Sequence, residues 1–276
     1  MRSYYELMLR FPNFKTRAVT MSYDDGCKED RQMISILNQY GLKSTFNLNA
    51  GKIADSSSKI QFEEFEALYH GHEIASHSYT HPHLRNLDLG GISYQIIRDR
   101  EALEEVLHKP VEGFAYPYGL STETDEMVNC LHSCGIRYAR TTNATHQFRL
   151  PRDYLRWDPT CHHADPALFD LAEEFFKPDD IEHPWRITSK LFFVWGHSYE
   201  FDDNWALLER ICQTLGNKDE VWYATNGEII DYISAFNALR RSVNAKYVYN
   251  PTDIDLYVAA HGKQILLKKG SITTLE

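Results

Sequence analysis

The sequence predicts an α/β fold, a distorted (β/α) TIM-like barrel of seven or eight strands with a small C-terminal antiparallel β appendage. Short apolar runs alternate with helical patterns along most of the chain, which is typical of parallel strands joined by right-handed crossovers. Polar clusters follow several of these runs, as at the C-terminal end of a barrel. After residue 243 only short β-runs remain. We therefore predict a barrel domain over 1–243 and an appendage over 244–276.

The first half of the chain reads as regular strand–helix units. Apolar residues at helical spacing in 29–40, followed by a capping Gly41, illustrate the pattern. The predicted strands are 18–23, 44–48, 73–76, 113–115 and 138–140, and the predicted helices are 29–40, 63–69, 93–107 and 122–134.

The second half is less regular, although the apolar run 191–195 is typical of a buried strand. A strand at 155–157 is a weaker prediction. The other predicted strands are 221–223 and, in the appendage, 247–249, 254–258 and 264–267, and the predicted helices are 166–176, 204–215 and 227–241.

Composition and charge narrow the classes of partner. The net charge of −10, from 29 Lys+Arg against 39 Asp+Glu, repels phosphate backbones and anionic bilayers, so we expect no nucleic-acid and no membrane partner. No apolar run is long enough for a membrane span or a signal peptide. If residue 1 is the native start, this predicts a soluble cytoplasmic protein. The five cysteines form no C-x-x-C pair and require no disulfide framework.

Asp24-Asp25-Gly26 follows the first predicted strand. Two adjacent carboxylates repel each other unless a cation or a proton lies between them, and Gly26 allows the backbone to turn at once. An ordinary polar turn is the alternative, because Asp-Gly is common turn chemistry.

His77 and His81 follow the third predicted strand, and their four-residue spacing places both imidazoles on one face of a helical turn. One such pair among 13 histidines is close to chance, so the pair alone is weak evidence. Together with Asp24 and Asp25 it is stronger. One carboxylate and two imidazoles make a three-ligand metal set with positions left open, and the other carboxylate can act as general base.

A third cluster follows the apolar strand that ends at Trp195. His197 lies just beyond this strand, at the same predicted end of the barrel. A histidine titrates near neutral pH, which suits a general acid that protonates a leaving group. A structural histidine is the alternative.

The order of these motifs resembles the polysaccharide deacetylase family, the carbohydrate esterases of family four that include the chitooligosaccharide deacetylases. Its five-residue T-F-D-D-G motif resembles a stretch within residues 21–26, and its H-[ST]-x-x-H motif matches residues 77–81. The resemblance implies that Asp24 is the general base and that the metal ligands are Asp25, His77 and His81. It implies a divalent metal, with Zn²⁺ expected and Co²⁺, Ni²⁺ or Mn²⁺ as alternatives.

Two further motifs of the family match in order. Residues 115–119 resemble its R-x-P-Y-G motif, which implies that the backbone N–H of Tyr118 stabilises an oxyanion. His197 matches the motif that ends in the general acid. Tyr116 and Trp195 flank these residues and are candidates for substrate or orienting contacts.

The sequence departs from the family pattern at two places. Ala115 stands where the family has an arginine that pairs with the catalytic aspartate. The motif whose aspartate orients the catalytic histidine is not clear, and Asp158 is the best candidate. His162 and His163 have no counterpart in the family, and either could face the cleft or belong to a polar loop.

The resemblance implies a metal-dependent hydrolase that removes an N-acetyl group from an N-acetylated sugar or oligosaccharide and releases acetate. The expected partner is a carbohydrate or a small N-acetylated substrate, and the formation of a homo-oligomer stays open. One alternative is an amide or ester hydrolase that acts on a small cytoplasmic metabolite. Another, favoured by Ala115, is a carbohydrate-binding homologue with impaired catalysis.

Overall fold

The computed structural model describes residues 7–53, 56–119, 124–183, 186–260 and 262–275. Its strands are β1 (Met8–Arg10), β2 (Arg17–Asp24), β3 (Ser44–Leu48), β4 (Glu73–Ser76), β5 (Gly113–Ala115), β6 (Tyr138–Arg140), β7 (Cys161–His162), β8 (Lys190–His197), β9 (Val221–Tyr223), β10 (Arg240–Arg241), β11 (Tyr247–Tyr249), β12 (Leu256–Ala260), β13 (Lys263–Leu267) and β14 (Ile272–Thr274). Its helices are α1 (Asp30–Gln39), α2 (Ala50–Ile53), α3 (Phe65–Leu68), α4 (Leu89–Leu107), α5 (Asp125–Ser133), α6 (Leu168–Phe175), α7 (Trp205–Leu215) and α8 (Asn226–Asn237).

The main sheet is parallel and confirms the predicted barrel-like α/β fold. Its strands follow the order β6-β5-β4-β3-β2-β8-β7, and β9 also pairs with β2. All eight residues of β2 are buried, as expected for a central strand covered on both faces. A parallel bridge between Arg140 and Trp157 joins the β6 edge to the chain that leads into β7, so the sheet curls toward closure.

The helices cover the sheet with the apolar faces that the sequence indicates. In α1, Met33, Ile34, Ile36 and Leu37 are buried in the largest hydrophobic cluster. Gly41 follows this helix with a φ of 63°, a left-handed conformation that favours glycine at a helix end. Within the part of the chain that the structure describes, no helix has both the length and the apolar character needed to cross a bilayer.

The predicted C-terminal antiparallel strands are present, but they pair with strands from earlier in the chain. β1 pairs with β12, which pairs in turn with β13. β11 pairs with β10 on one side and with β14 on the other. The boundary between residues 243 and 244 stays a prediction.

One predicted strand was wrong, and one predicted helix was too long. The strand at 155–157 is instead a 3-10 turn, Tyr154–Arg156, and the true strand β7 begins at Cys161. The helix predicted at 227–241 ends at Asn237, because Arg240 and Arg241 extend and pair with β11.

The predicted helix at 122–134 begins later than expected in the described part of the chain. Asp125 is its first residue, and the Thr124 side chain caps it by accepting a hydrogen bond from the Met127 N–H. Predicted residues 122–123 lie outside the described residues.

Candidate active site

Polar side chains converge where several parallel strands end. Asp24 closes β2 and lies directly beside His197 in the register of β2 with β8. The Nε2 atom of His197 is 4.0 Å from Oδ2 of Asp24, and Nε2 of His77, which follows β4, is 3.7 Å from the same oxygen. The barrel thus brings three predicted site residues from distant parts of the sequence into one cluster.

Asp24 is buried and held by two donors. The Arg140 guanidinium donates a hydrogen bond to Oδ2, and the Asn47 amide donates to Oδ1 at 2.8 Å. Burial alone would raise the pKa of Asp24, but the positive charge of Arg140 outweighs it and holds this pKa below its ordinary value. Asp24 is therefore an ionised carboxylate at neutral pH, as a general base requires.

Arg140 is a site residue that sequence reasoning missed. It is the direct register partner of Ala115 across β5 and β6, so both side chains project from the same face of the sheet. Arg140 is fully buried, and its guanidinium lies 4.6 Å from the Trp195 ring centre. A charged residue at the end of a buried strand was the signal that could have revealed it. The arginine expected at position 115 is thus supplied by the neighbouring strand.

Asp25, His77 and His81 form a set that fits a divalent metal. Their ligand atoms lie within 4.8 Å of one another, and the Nε2 atoms of the two histidines are 3.2 Å apart. Nδ1 of His77 is 2.7 Å from the Ala115 carbonyl oxygen, so this nitrogen carries the proton and Nε2 keeps its lone pair for the site. Burial lowers the pKa of His77, and lowers that of His81 to about 4, so both rings are neutral at pH 7.

The loop that carries the two histidines corrects the prediction of a helical turn. It is an irregular segment in which Ser78 has a φ of 67° and His81 a φ of 57°. The Tyr79 N–H donates to the Gln95 carbonyl at 3.1 Å, and the Thr80 N–H donates to the Gln95 side chain at 2.8 Å. Four-residue spacing matches a helix, but anchoring to α4 forces a different backbone that still brings both imidazoles together.

The turn after Asp24 adopts the conformation that Gly26 permits. Asp25 has a φ of 80° and Gly26 a φ of 61°, in the left-handed region. A Cβ atom on Gly26 would lie 2.7 Å from the Leu48 side chain, so both the conformation and the space require glycine. Lys59 donates to the Asp25 carbonyl at 2.7 Å and so fixes the main chain of Asp25.

The three aromatic residues that the sequence predicts at the site lie in different positions. Tyr118 is 51% exposed, has a φ of 61° and stacks on His83, with its ring centre 4.5 Å from that of His81. Trp195 lies against Arg140 and His162. The Tyr116 side chain is not brought into the cluster, because it is buried and its hydroxyl donates to the Leu155 carbonyl at 2.8 Å.

Asp158 does not contact His197. It is exposed and accepts hydrogen bonds from Thr141 and, at 3.2 Å, from Asn143. The carboxylate beside His197 is instead that of Glu200, whose Oε2 is 3.3 Å from Nδ1 of the imidazole. Sequence reasoning missed Glu200, although a carboxylate three residues after a candidate catalytic histidine was a visible signal.

Part of the chain matches a known protein family. Residues 12–139 match the family described as polysaccharide deacetylase. This segment contains Asp24, Asp25, His77, His81 and Tyr118. Residues 12–139 therefore belong to the polysaccharide deacetylase family. The resemblance predicted from the motifs is therefore confirmed.

The similarity to curated proteins covers only part of each relative's length. A chitin deacetylase from a Pestalotiopsis species is 32% identical over 102 residues, which cover 36% of this chain and 33% of the relative. The chain spans about a third or less of the length of the curated relatives it matches.

Solved structures share the fold of the deacetylase family. A candidate polysaccharide deacetylase from Mycobacterium smegmatis has a TM-score of 0.60 and 19% identity, over 86% of this chain and 96% of that one. A family 4 carbohydrate esterase pseudoenzyme from Bacillus anthracis has a TM-score of 0.51 and 17% identity, over 81% and 68%. Because a pseudoenzyme shares the fold, activity has to be argued from the site.

Proposed function

We propose that this protein is a metal-dependent hydrolase that removes the N-acetyl group from an N-acetylated sugar or oligosaccharide and releases acetate. The observation that carries the proposal is the convergence of the ligand set Asp25, His77 and His81 with Asp24 and His197 at one end of the sheet. The family match over 12–139 supports a carbohydrate as the substrate class.

Asp25, His77 and His81 would hold the metal, and two imidazoles with one carboxylate favour Zn²⁺, with Co²⁺, Ni²⁺ and Mn²⁺ as alternatives. When bound, such an ion supplies Lewis-acid chemistry that acidifies water and polarises the acyl carbonyl. The hydrogen bond from His77 to Ala115 keeps the ligand nitrogen aimed at the site.

The protein's own residues would divide the proton transfers between them. Asp24 takes a proton from the attacking water as it adds to the amide carbon, and the backbone N–H of Tyr118 stabilises the resulting oxyanion. His197 then donates a proton to the nitrogen as the C–N bond breaks, which frees the amine and acetate. Burial alone would lower the pKa of His197, but Glu200 and Asp24 raise it above its ordinary value, which favours the protonated ring that a general acid needs.

Arg140 weakens the case for a binding homologue without catalysis. That alternative depended on Ala115, and the buried guanidinium of Arg140 now supports an ionised, fixed Asp24. A hydrolase acting on a small cytoplasmic amide or ester would use the same residues, so substrate assays have to separate it from the carbohydrate deacetylase.

The decisive experiment is acetate release by the Zn²⁺-loaded protein from N-acetylglucosamine oligomers, measured beside O-acetyl esters. Release from the oligomers, loss of release with a chelator and recovery with Zn²⁺ are the expected results. Release from the esters alone would support the small-metabolite alternative. A protein that holds one Zn²⁺ and binds the oligomers without releasing acetate would support the binding homologue.

Replacing Asp24 by Asn tests the assignment of the base. We expect turnover to fall by roughly 100-fold or more, since general-base catalysis contributes about 10²–10⁴-fold. Bound Zn²⁺ should stay at the wild-type level, because Asp24 lies outside the proposed ligand set. The control is Asp25→Asn, which should lose metal as well as activity. Wild-type turnover in Asp24→Asn would refute the base assignment.

A further inference from the structure

A second group of polar side chains, here called the Glu200 cluster, lies beside His197 and consists of His162, His163 and Glu200. Oε2 of Glu200 is 3.2 Å from Nε2 of His162, 3.4 Å from Nε2 of His163 and 3.3 Å from Nδ1 of His197. Three imidazoles therefore converge on one carboxylate oxygen. Such a group either binds a second metal ion or supports His197 through its charge and close contact.

The hydrogen bonds of the two histidines argue against a metal. A metal-bound imidazole donates its other N–H to an acceptor, as His77 does to the Ala115 carbonyl. In His162 the other nitrogen, Nδ1, accepts a hydrogen bond from the Ala164 N–H at 3.1 Å. Because Nδ1 is an acceptor, the ring proton lies on Nε2, which faces Glu200, and leaves no lone pair there for an ion.

His163 leads to the same conclusion. Its side chain is buried, and its ring packs between those of Tyr23, at 5.8 Å, and Phe201, at 4.1 Å. Among the described residues its Nδ1 has no hydrogen-bond partner that could orient it as a ligand. His163 therefore faces Glu200 through Nε2 without the orienting contact that a metal-bound imidazole has on its other nitrogen.

Glu200 is also fixed to the main chain of His197. The His197 N–H donates to Oε2 of Glu200 at 3.0 Å across the 3-10 turn Ser198–Phe201. Burial opposes the charged form of Glu200, but His162 and His197 hold the pKa of this carboxyl well below its usual range. A fixed negative charge thus stands on the side of the imidazole opposite to Asp24.

We infer that Glu200 is the positioning residue of His197, and that His162 and His163 hold its carboxylate in place. Contact at Nδ1 leaves Nε2 of His197 directed at Asp24, 4.0 Å away, and stabilises the protonated ring. Glu200 thereby fills the orienting role that the family resemblance led us to seek at Asp158. The catalytic part of this inference rests on the proposed function.

Histidine NMR titration of the Zn²⁺-loaded protein tests, without a substrate, whether Glu200 acts on His197. Among the described residues, the titratable groups that face His197 are Asp24, Asp25 and Glu200, with the imidazole of His163 and the phenol of Tyr199. In Glu200→Gln, which keeps the shape but removes one charge, the pKa of His197 should fall. Asp202→Asn is the matched control, because it removes a charge from an exposed residue next to the same turn. Equal His197 titrations in the two variants would overturn the inference.

Kinetics and metal content complete the test. For Glu200→Gln we expect kcat to fall about 10- to 100-fold, the range typical for residues that orient an active-site side chain, with KM nearly unchanged. The alkaline limb of the pH–rate profile should move to lower pH. Glu200→Asp should recover part of kcat, and it also serves if Glu200→Gln fails to fold. Two Zn²⁺ per wild-type chain with one lost in Glu200→Gln would overturn the inference in favour of a metal site. A lowered His197 pKa in a protein that releases no acetate would support the Glu200 contact while refuting the proposed function.

Discussion

Arg140, the register partner of Ala115, supplies the cation that pairs with Asp24. The two residues are register partners, so side chains at either position project from the same face of the sheet. Arg140 is fully buried and pairs with Asp24, which is 116 residues away in sequence. The family motif directs attention to position 115, and only the register of β5 with β6 reveals the substitute.

Arg140→Ala should leave Asp24 as a buried carboxylate without its cation. Removing one partner of a buried pair costs about 3–5 kcal/mol, so we expect the free energy of unfolding to fall by that order. Acetate release should fall by roughly 100-fold, because the base is no longer held. Urea unfolding and single-substrate kinetics measure the two effects.

Two further variants sharpen this test. Ala115→Arg in the Arg140→Ala background should recover at least about tenfold in kcat, since the new guanidinium starts from the neighbouring position on the same face. Arg240→Ala, at an exposed residue of β10, is the control and should change neither quantity. A wild-type unfolding curve for Arg140→Ala would contradict the pairing argument.

Residue type and spacing were enough to predict which side chains meet, but not what holds them. Asp24, Asp25, His77, His81 and His197 were predicted because carboxylates and imidazoles followed recognisable strands, and the structure brings them together. Their chemical roles stay predictions. The supports could not be predicted in the same way, because Arg140 reaches Asp24 through strand register and Glu200 reaches His197 through a single 3-10 turn.

The loop after β4 depends on helix α4 for its shape. Gln95 accepts from the Thr80 N–H at 2.8 Å and donates to the Thr80 hydroxyl at 3.0 Å, while its carbonyl accepts from Tyr79. His81 follows directly with a left-handed backbone. Such a conformation persists only where surrounding contacts impose it, so the position of one proposed metal ligand depends on a neutral side chain from another element.

Gln95→Leu should therefore weaken metal binding without removing a ligand. The Thr80 N–H loses its acceptor and the loop relaxes, so we expect Zn²⁺ affinity to fall about 10- to 100-fold in chelator competition. Gln39→Leu, at an exposed side chain of α1, is the control and should bind Zn²⁺ like the wild type. Unchanged affinity in Gln95→Leu would show that the loop holds His81 without α4.

At the scale of the whole molecule, local patterns predict the parallel sheet better than the antiparallel one. Most parallel strands are marked by an apolar run with a helix after it, so most of the barrel could be predicted in chain order. The exception is β7, whose two residues, Cys161 and His162, form no apolar run. The pairing of β1 with β12 joins residues near the two ends of the chain. Neither hydrophobic pattern nor turn chemistry carries information about such distant partners, so the extent of the appendage could not be predicted.

Buried titratable groups make the stability of the fold depend on pH in two opposing ways. Burial raises the pKa values of Asp30 and Asp99 to about 7, so both groups favour the folded state at low pH and lose that contribution as pH rises from about 4 to 7. Burial lowers the pKa of His72 to about 4 and that of His163 to about 3. These rings favour folding above about pH 6.5, and that contribution is lost as pH falls.

Asp30→Asn isolates one of these contributions. Asp30 is the first residue of α1 and accepts a 2.7 Å hydrogen bond from the Tyr69 hydroxyl, which an asparagine oxygen can also accept. Ionisation of buried Asp30 destabilises the folded wild type above pH 7, and asparagine cannot ionise. The free energy of unfolding of the variant, measured with urea, should therefore exceed that of the wild type by up to about 4 kcal/mol at pH 8 and differ little from it at pH 4. Asp170→Asn, an exposed first-turn aspartate of α6, is the control. A stability gap for Asp30→Asn that does not change with pH would mean that Asp30 is not protonated in the folded protein.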